Sequence, residues 1–409
     1  MKKIFLHIFL FTTSLLFVSC NEEVIDSVDN VEATAYDDPY FVDSRYAQAA
    51  ASMVTFPVDS GGTRSILSKE YREIGQIIPF GKSDKPSFYI VNYKNDGGFL
   101  ILAADKRVNP LLAFSYTGNF IVDYTEMPSS LVDWMQESHE GIEDLRKNGI
   151  PDSLQSRLRW GGDYDPSWNL CEMQDILGPN PELCGEYDPC EQIADLKGPL
   201  LKTEWHQMSP YNSALDDCGC TDTYLYGKPY AGCVAIAMVQ VMNYHKKPQW
   251  VNWSVATSAT GFGYADVIKD AGLVIGTRYG CGGSSADTGN VPNALKSRFG
   301  YASADFRDGF SSEIVKDNIR RNMPVILAGN KKNGWSWIGG YGPGHAWVCD
   351  GYRTLENCHA RALYLHMNWG WGDKVFNSSN GYYGVGEWWK SRTGGHYSEN
   401  QRMVYNIKP

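Results

Sequence analysis

Cys233 is the residue best placed for nucleophilic chemistry. It opens the run Gly232-Cys233-Val234-Ala235-Ile236-Ala237-Met238-Val239, where every position after Gly232 is apolar or small, and polar residues return only at Gln240, Asn243 and His245. That pattern predicts a helix with almost no solvated face, stopped before Pro248. In the first turn, unpaired backbone N–H groups and the positive end of the helix dipole favour the thiolate. The competing reading is a small apolar cysteine packed at the head of a core helix. A nucleophilic cysteine needs a base, and His345 has the setting for one. It follows the glycine-rich Gly339-Gly340-Tyr341-Gly342-Pro343-Gly344 and opens the strand-like Ala346–Tyr352, so it can project into a cleft. His7 lies in the leader and His139 in the N-terminal part, while His206, His245, His359, His366 and His396 have no comparable setting and read as structural or surface. A third group must orient the base. Asn368 ends the strand-like Ala362–Met367, which should pair with the His345 strand, and Trp369 could shield an Asn368–His345 hydrogen bond from water.

The elements that hold these residues follow from the rest of the chain. Its 409 residues suit two domains. A net charge of −10 and the lack of a basic block argue against nucleic acid or an anionic membrane surface as partner. A helix is expected from Tyr40 to about Ser60. The runs Phe88–Tyr93 and Phe99–Ala104 flank Lys94-Asn95-Asp96-Gly97-Gly98 and read as a β-hairpin. A further strand is expected at Leu111–Tyr116 and a helix from Ser129 to Lys147. Between Ser153 and Lys197 the periodicity fails, which marks a linker, with Arg157 and Arg159 open to proteolysis. Regular structure is expected to return at Gly198–Leu201, with helices at Val291–Phe299 and Ser311–Arg320 and a buried strand at Pro324–Gly329.

Lys2 and Lys3 precede the apolar run Ile4–Val18, which has the length of an export signal core and is short for a membrane span. Leu16-Phe17-Val18-Ser19-Cys20 resembles a bacterial lipobox, with Cys20 as the lipidated residue, so the protein would be anchored to a membrane without crossing it. The alternative is an ordinary secretory signal. Residues 21–38 are acidic and read as a tether. Besides Cys20 and Cys233 there are eight cysteines, an even number that permits disulfides in an exported protein. Cys349 and Cys358 flank a turn and are the expected local bridge. A zinc site at Cys218-Gly219-Cys220 is the rival there, although a one-residue gap suits chelation poorly.

Taken together, Gly232-Cys233-Val234-Ala235, Asn243–Pro248, Gly344-His345-Ala346 with Asp350-Gly351, and Asn368-Trp369-Gly370-Trp371-Gly372 resemble the streptopain family of secreted cysteine peptidases. The segment Trp205–Asn212 and the closing Tyr405–Pro409 are similar to that family as well. The resemblance implies an α+β fold: a papain-like cysteine peptidase domain at 198–409, preceded by a small α+β inhibitory pro-domain with an antiparallel sheet at 39–152. Residues 1–20 would be the lipoprotein-type signal, 21–38 the tether, and 153–197 the Cys-rich linker that is cut on activation. It further implies Cys233 as nucleophile, His345 as base, Gln207 as oxyanion donor, and Asn368 with Trp369 as the pair that orients and shields the base. Substrates would be proteins or peptides, the pro-domain would be an intramolecular inhibitor, and no cofactor or metal is implied. The additional cysteines and a shorter Cys233-to-His345 interval depart from the family, so the loops between Trp250 and Gly283 are expected to reshape the subsites. Two alternatives remain at this point: a Cys-His amidase or transglutaminase acting on cell-wall peptides, and a catalytically inactive binding protein on the same scaffold.

Overall fold

The structure, a computed structural model, describes residues 38, 40–57, 69–108, 110–122, 127, 129–149, 195–259, 261–330, 344–356, 361–372, 379–385 and 401–409. The leader with Cys20, the tether, most of the linker with Cys171, Cys184 and Cys190, the loop before Gly344, and Cys358, His359 and His396 lie outside them.

Helix α1 (Ser44–Ser52) is capped by Asp43, whose carboxylate accepts from the Tyr46 N–H at 2.8 Å. It is shorter than the helix expected to reach Ser60, because Val54 and Thr55 turn the chain into β1 (Thr55–Pro57), which pairs with β2 (Lys69–Tyr71). Next come β3 (Ile74–Gly81), β4 (Pro86–Tyr93), β5 (Phe99–Ala103) and β6 (Leu111–Ser115), an antiparallel run in the order β6-β5-β4-β3. β4, β5 and β6 are buried along their whole length, which accounts for their near-continuous apolar sequence. The β4–β5 hairpin turns on Gly98, whose φ of +93° and 2.2 Å gap between an added Cβ and the Ser115 carbonyl oxygen exclude a side chain. Helix α2 (Ser129–Asn148) follows the expected stripe, with Leu131, Trp134, Met135 and Ile142 buried.

The last three residues of the expected linker form a strand, β7 (Asp195–Lys197), which leads into irregular chain at Gly198–Leu201, where regular structure was expected. There the main chain packs onto Asp350 instead, with the Leu200 N–H on the Asp350 carbonyl at 2.9 Å and the Leu201 N–H on its carboxylate at 2.8 Å. Helix α3 (Cys233–His245) is buried from Val234 through Asn243, as its pattern demands. Then follow β8 (Val251–Asn252), β9 (Phe262–Gly263), α4 (Tyr264–Val274), α5 (Val291–Ser297), β10 (Ser303–Asp308), α6 (Ser312–Arg320), β11 (Val325–Asn330), β12 (Gly344–Glu356), β13 (Arg361–Asn368), β14 (Gly381–Val385) and β15 (Arg402–Lys408).

One sheet runs through both parts of the chain in the order β10-β15-β11-β12-β13-β14-β6-β5-β4-β3, with β7 on β12. The junction is the antiparallel pair β6–β14, in which Phe114 faces Tyr382 and Ala113 faces Tyr383. Side chains alternate across β12: Ala346 and Val348 join the core around α3, whereas Trp347 and Cys349 join the core that includes α2. The architecture is mixed α+β, with the antiparallel N-terminal strands continuing the sheet of the C-terminal part. Cys349 is a buried free thiol, so the expected bridge to Cys358 is not made. A register shift between Cys349 and Gly351 turns its sulfur toward the Gly351 carbonyl of the same strand, at 3.8 Å. The disulfide among the described residues joins Cys220 to Cys281.

Candidate active site

Cys233 occupies the first position of α3, after Gly232 in a left-handed conformation (φ 91°) that lets the incoming chain turn sharply. Its neighbours pin the helix: Ile236 and Val239 are in the core, and Gln240 is fully buried. His345 is the second residue of β12, opposite Gly329 of β11, so no side chain crowds it from that strand. Gln207 is held by its own backbone, whose carbonyl accepts from the Ala231 N–H at 2.8 Å, two residues before Cys233. The side chains of Gln207, Cys233 and His345 line one cleft of about 420 Å³, together with Trp371 and the segment Gly282–Ala286.

The His345 Nε2 lies 2.7 Å from the Trp369 carbonyl oxygen. A carbonyl only accepts, so Nε2 carries the proton and the neutral ring has its lone pair on Nδ1. Asn368, expected to orient His345 through its side chain, is engaged elsewhere. Its Oδ1 accepts from Gln240 Nε2 and from the Gly370 N–H, both at 3.3 Å, and its Nδ2 donates to the Thr203 carbonyl at 2.6 Å. Asn368 thus fastens the turn that presents the Trp369 carbonyl. The Trp369 ring is fully buried, tilted against Trp347 at 5.1 Å and edge-on to Tyr383 at 5.2 Å. Gln240 and Trp371 were not singled out from sequence. The glutamine in an otherwise apolar helix interior was the available signal, since a fully buried amide must find partners.

Burial sets the electrostatics. It pushes the Cys233 thiol up, against the pull of the Ala346, Val234 and Cys233 backbone N–H groups, and it lowers the His345 pKa to about 4 against the Trp369 carbonyl. Burial disfavours the charged form of each group, and at Cys233 the backbone N–H groups at the head of α3 oppose it. Other histidines among the described residues have structural partners. His366 pairs with Asp350 at 2.6 Å, His206 accepts from the Met208 N–H at 3.2 Å, and His245 meets the Tyr301 hydroxyl at 3.3 Å. A cysteine and a histidine in one cleft, between a buried helix and a sheet that the N-terminal strands continue, define a papain-like cysteine peptidase with a pro-domain.

Comparison with known proteins agrees. Residues 205–261 and 254–383 match the Peptidase C10 family and residues 39–142 the Spi protease inhibitor family, and the chain belongs to the C10 cysteine peptidases as a cysteine endopeptidase zymogen. Streptopain of Streptococcus pyogenes is 24% identical over 438 residues, covering 91% of this chain and 94% of its own. The thiol protease/hemagglutinin PrtT of Porphyromonas gingivalis is 24% identical over 382 residues, which is 81% of this chain and 38% of that protein. A fragment of Prevotella intermedia prointerpain A has a similar fold, with a TM-score of 0.51 at 21% identity, over 82% of this chain and 99% of the fragment. Among the described residues no helix is long and apolar enough to cross a membrane.

Proposed function

We propose that this chain is an exported endopeptidase that cleaves peptide bonds through a thioester on Cys233. The observation that carries the reading is that Cys233, His345 and Gln207 converge on one cleft. His345 Nδ1 takes the thiol proton as the sulfur attacks the substrate carbonyl, and the resulting imidazolium protonates the leaving amine. Gln207 and the Cys233 N–H bind the oxyanion. Water, activated by the same His345 nitrogen, then hydrolyses the thioester. The Trp369 carbonyl holds the ring, and Asn368 holds Trp369.

Residues 1–20 are read as the signal with Cys20 as lipid carrier, which puts the precursor on a bacterial membrane surface. Residues 39–152 are read as the pro-domain, 153–197 as the region cut on activation, and 198–409 as the catalytic domain. Because β7 pairs with β12, the cut is expected before Asp195. The test is full-length Cys233→Ala incubated beside the wild type, with casein and peptidoglycan as substrates. The wild type should process itself and degrade casein, and the variant should do neither. Casein cleavage by the variant would overturn the nucleophile assignment, and activity of the wild type on peptidoglycan alone would overturn the endopeptidase reading.

A further inference from the structure

A second sulfur centre lies beside the cleft and takes no part in the mechanism above. Cys220 is bonded to Cys281, and the exposed, free Cys218 brings its sulfur to 3.1 Å from Cys220 Sγ and 3.8 Å from Cys281 Sγ. The cluster is held by the backbone: the N–H groups of Cys218 and Cys220 both donate to the Gly227 carbonyl, at 2.9 and 3.1 Å. Gly219 between them has φ +74° and open space where a Cβ would stand, so the Cys-Gly-Cys segment is at liberty to close on itself.

We propose that Cys218, Cys220 and Cys281 form a thiol–disulfide exchange site that fastens and releases one wall of the substrate cleft. The Cys218 thiol gives its proton to solvent, and the thiolate attacks Cys220 Sγ. The Cys218–Cys220 bond forms as the Cys220–Cys281 bond breaks, and its electron pair leaves with the Cys281 sulfur, which takes a proton from solvent. Nothing is oxidised or reduced overall, so no co-reactant is needed. Two observations favour attack at Cys220: it is the nearer sulfur, and the group it releases is exposed, so its charge is solvated. The three sulfurs are not in line as they stand, so the attack requires a rotation of the exposed Cys218 side chain.

The consequence follows from what Cys281 precedes. Gly282, Gly283, Ser284 and Ser285 line the cleft opposite His345. Apart from the disulfide, this wall is tied to the segment before Cys233 by the Ser284 hydroxyl on the Tyr230 carbonyl (2.6 Å) and by the Tyr230 N–H on the Gly280 carbonyl (3.4 Å). Glycine-rich chain with two such ties gains freedom when the covalent link goes. Exchange therefore alters how substrate is positioned and leaves the chemistry at Cys233 untouched. A zinc ion on the three sulfurs is disfavoured because two of them are already bonded to each other.

The exchange is read without activity, so its failure is distinct from failure of the peptidase reading on which the kinetic arm rests. Full-length Cys233→Ala, kept free of added reductant, is held at pH 8, quenched in acid, alkylated, and mapped by mass spectrometry. The expected result is two populations, one alkylated at Cys218 with Cys220–Cys281 bridged, the other alkylated at Cys281 with Cys218–Cys220 bridged, interconverting faster at higher pH because the thiolate is the attacking form. Alkylation at Cys218 alone, at every pH and time, overturns the proposal, as does stoichiometric zinc with all three thiols protected. In processed enzyme with Cys233 intact, Cys281→Ser should raise KM for a peptide by about threefold to tenfold with kcat little changed. Cys218→Ser, which fixes the bridge, should have a KM no higher than the wild type. Equal KM in both variants overturns the link to the cleft.

Discussion

The His345 imidazole is held by the backbone of Trp369, through a 2.7 Å hydrogen bond from Nε2 to the carbonyl oxygen, and the Asn368 side chain acts one step behind it. A carbonyl cannot be removed by side-chain mutation, so the turn that carries it is the accessible target. Asn368→Ala leaves the buried Gln240 amide short of a partner and loosens the turn, which costs roughly 1–3 kcal/mol and hence up to about 10²-fold in kcat/KM. His345→Ala should cost far more, on the order of 10⁴-fold or greater. Steady-state kinetics on a peptide substrate compares the two, and equal losses would show that Asn368 itself orients the base.

Gln207 has a separate signature. Its amide makes no hydrogen bond among the described residues and sits on the cleft, the arrangement of a donor that waits for an oxyanion. Gln207→Ala should lower kcat by about 10²- to 10³-fold with little change in KM, because the lost bond strengthens only as charge develops on the substrate oxygen. A rise in KM with kcat unchanged would instead make Gln207 a binding residue.

How far the sequence reached can be traced through these same residues. Helix α3 was legible because an uninterrupted apolar run has one physical solution, burial all round, and the β4–β5 hairpin because its turn chemistry is local. Trp369 as orienting group was not legible, since any residue supplies a carbonyl and its aim depends on the turn that Asn368, Gln240 and Thr203 fix from three distant segments. The Cys220–Cys281 pairing was hidden likewise, because connectivity depends on which loops meet. β3 escaped because its residues alternate irregularly between half-buried and exposed. The Cys349–Cys358 expectation failed because Cys349 is a buried free thiol, which spacing along the chain does not reveal.

Two histidines predict the acid side of the stability curve. Burial lowers His345 and His245 to about 4, with Lys247 adding to the effect at His245. Each is neutral in the fold and ready to charge in the unfolded chain, where its pKa is about 6.5. Between those values the unfolded state binds more protons, so stability is complete above about pH 6.5, falls as pH drops, and has lost these contributions below about pH 4. Melting temperatures of Cys233→Ala, which avoids self-cleavage, should fall across that window. His345→Gln added to it should flatten the fall, and an unchanged slope would mean that His345 binds protons equally in the folded and unfolded chain.

The pro-domain reaches the base through aromatic rings. Trp134 of α2 packs edge-on to Tyr383 of β14 with ring centres 5.0 Å apart, Tyr383 packs edge-on to Trp369, and the Trp369 carbonyl holds His345. Trp134 is 4% exposed, so Trp134→Ala removes a large buried ring at a site flanked by paired strands that collapse poorly, and should destabilise the full-length chain by roughly 3–5 kcal/mol. Tyr383→Phe removes the hydroxyl bond to the Ser379 carbonyl (2.5 Å) and keeps the ring, so it should cost nearer 1 kcal/mol. The same truncation of Trp134 empties the far side of the ring stack and loosens α2 from the sheet. It should therefore speed self-processing of the precursor relative to Tyr383→Phe, in a time course followed by gel at a temperature where both variants remain folded. If Trp134→Ala processes no faster, the pro-domain restrains the site through contacts other than this stack.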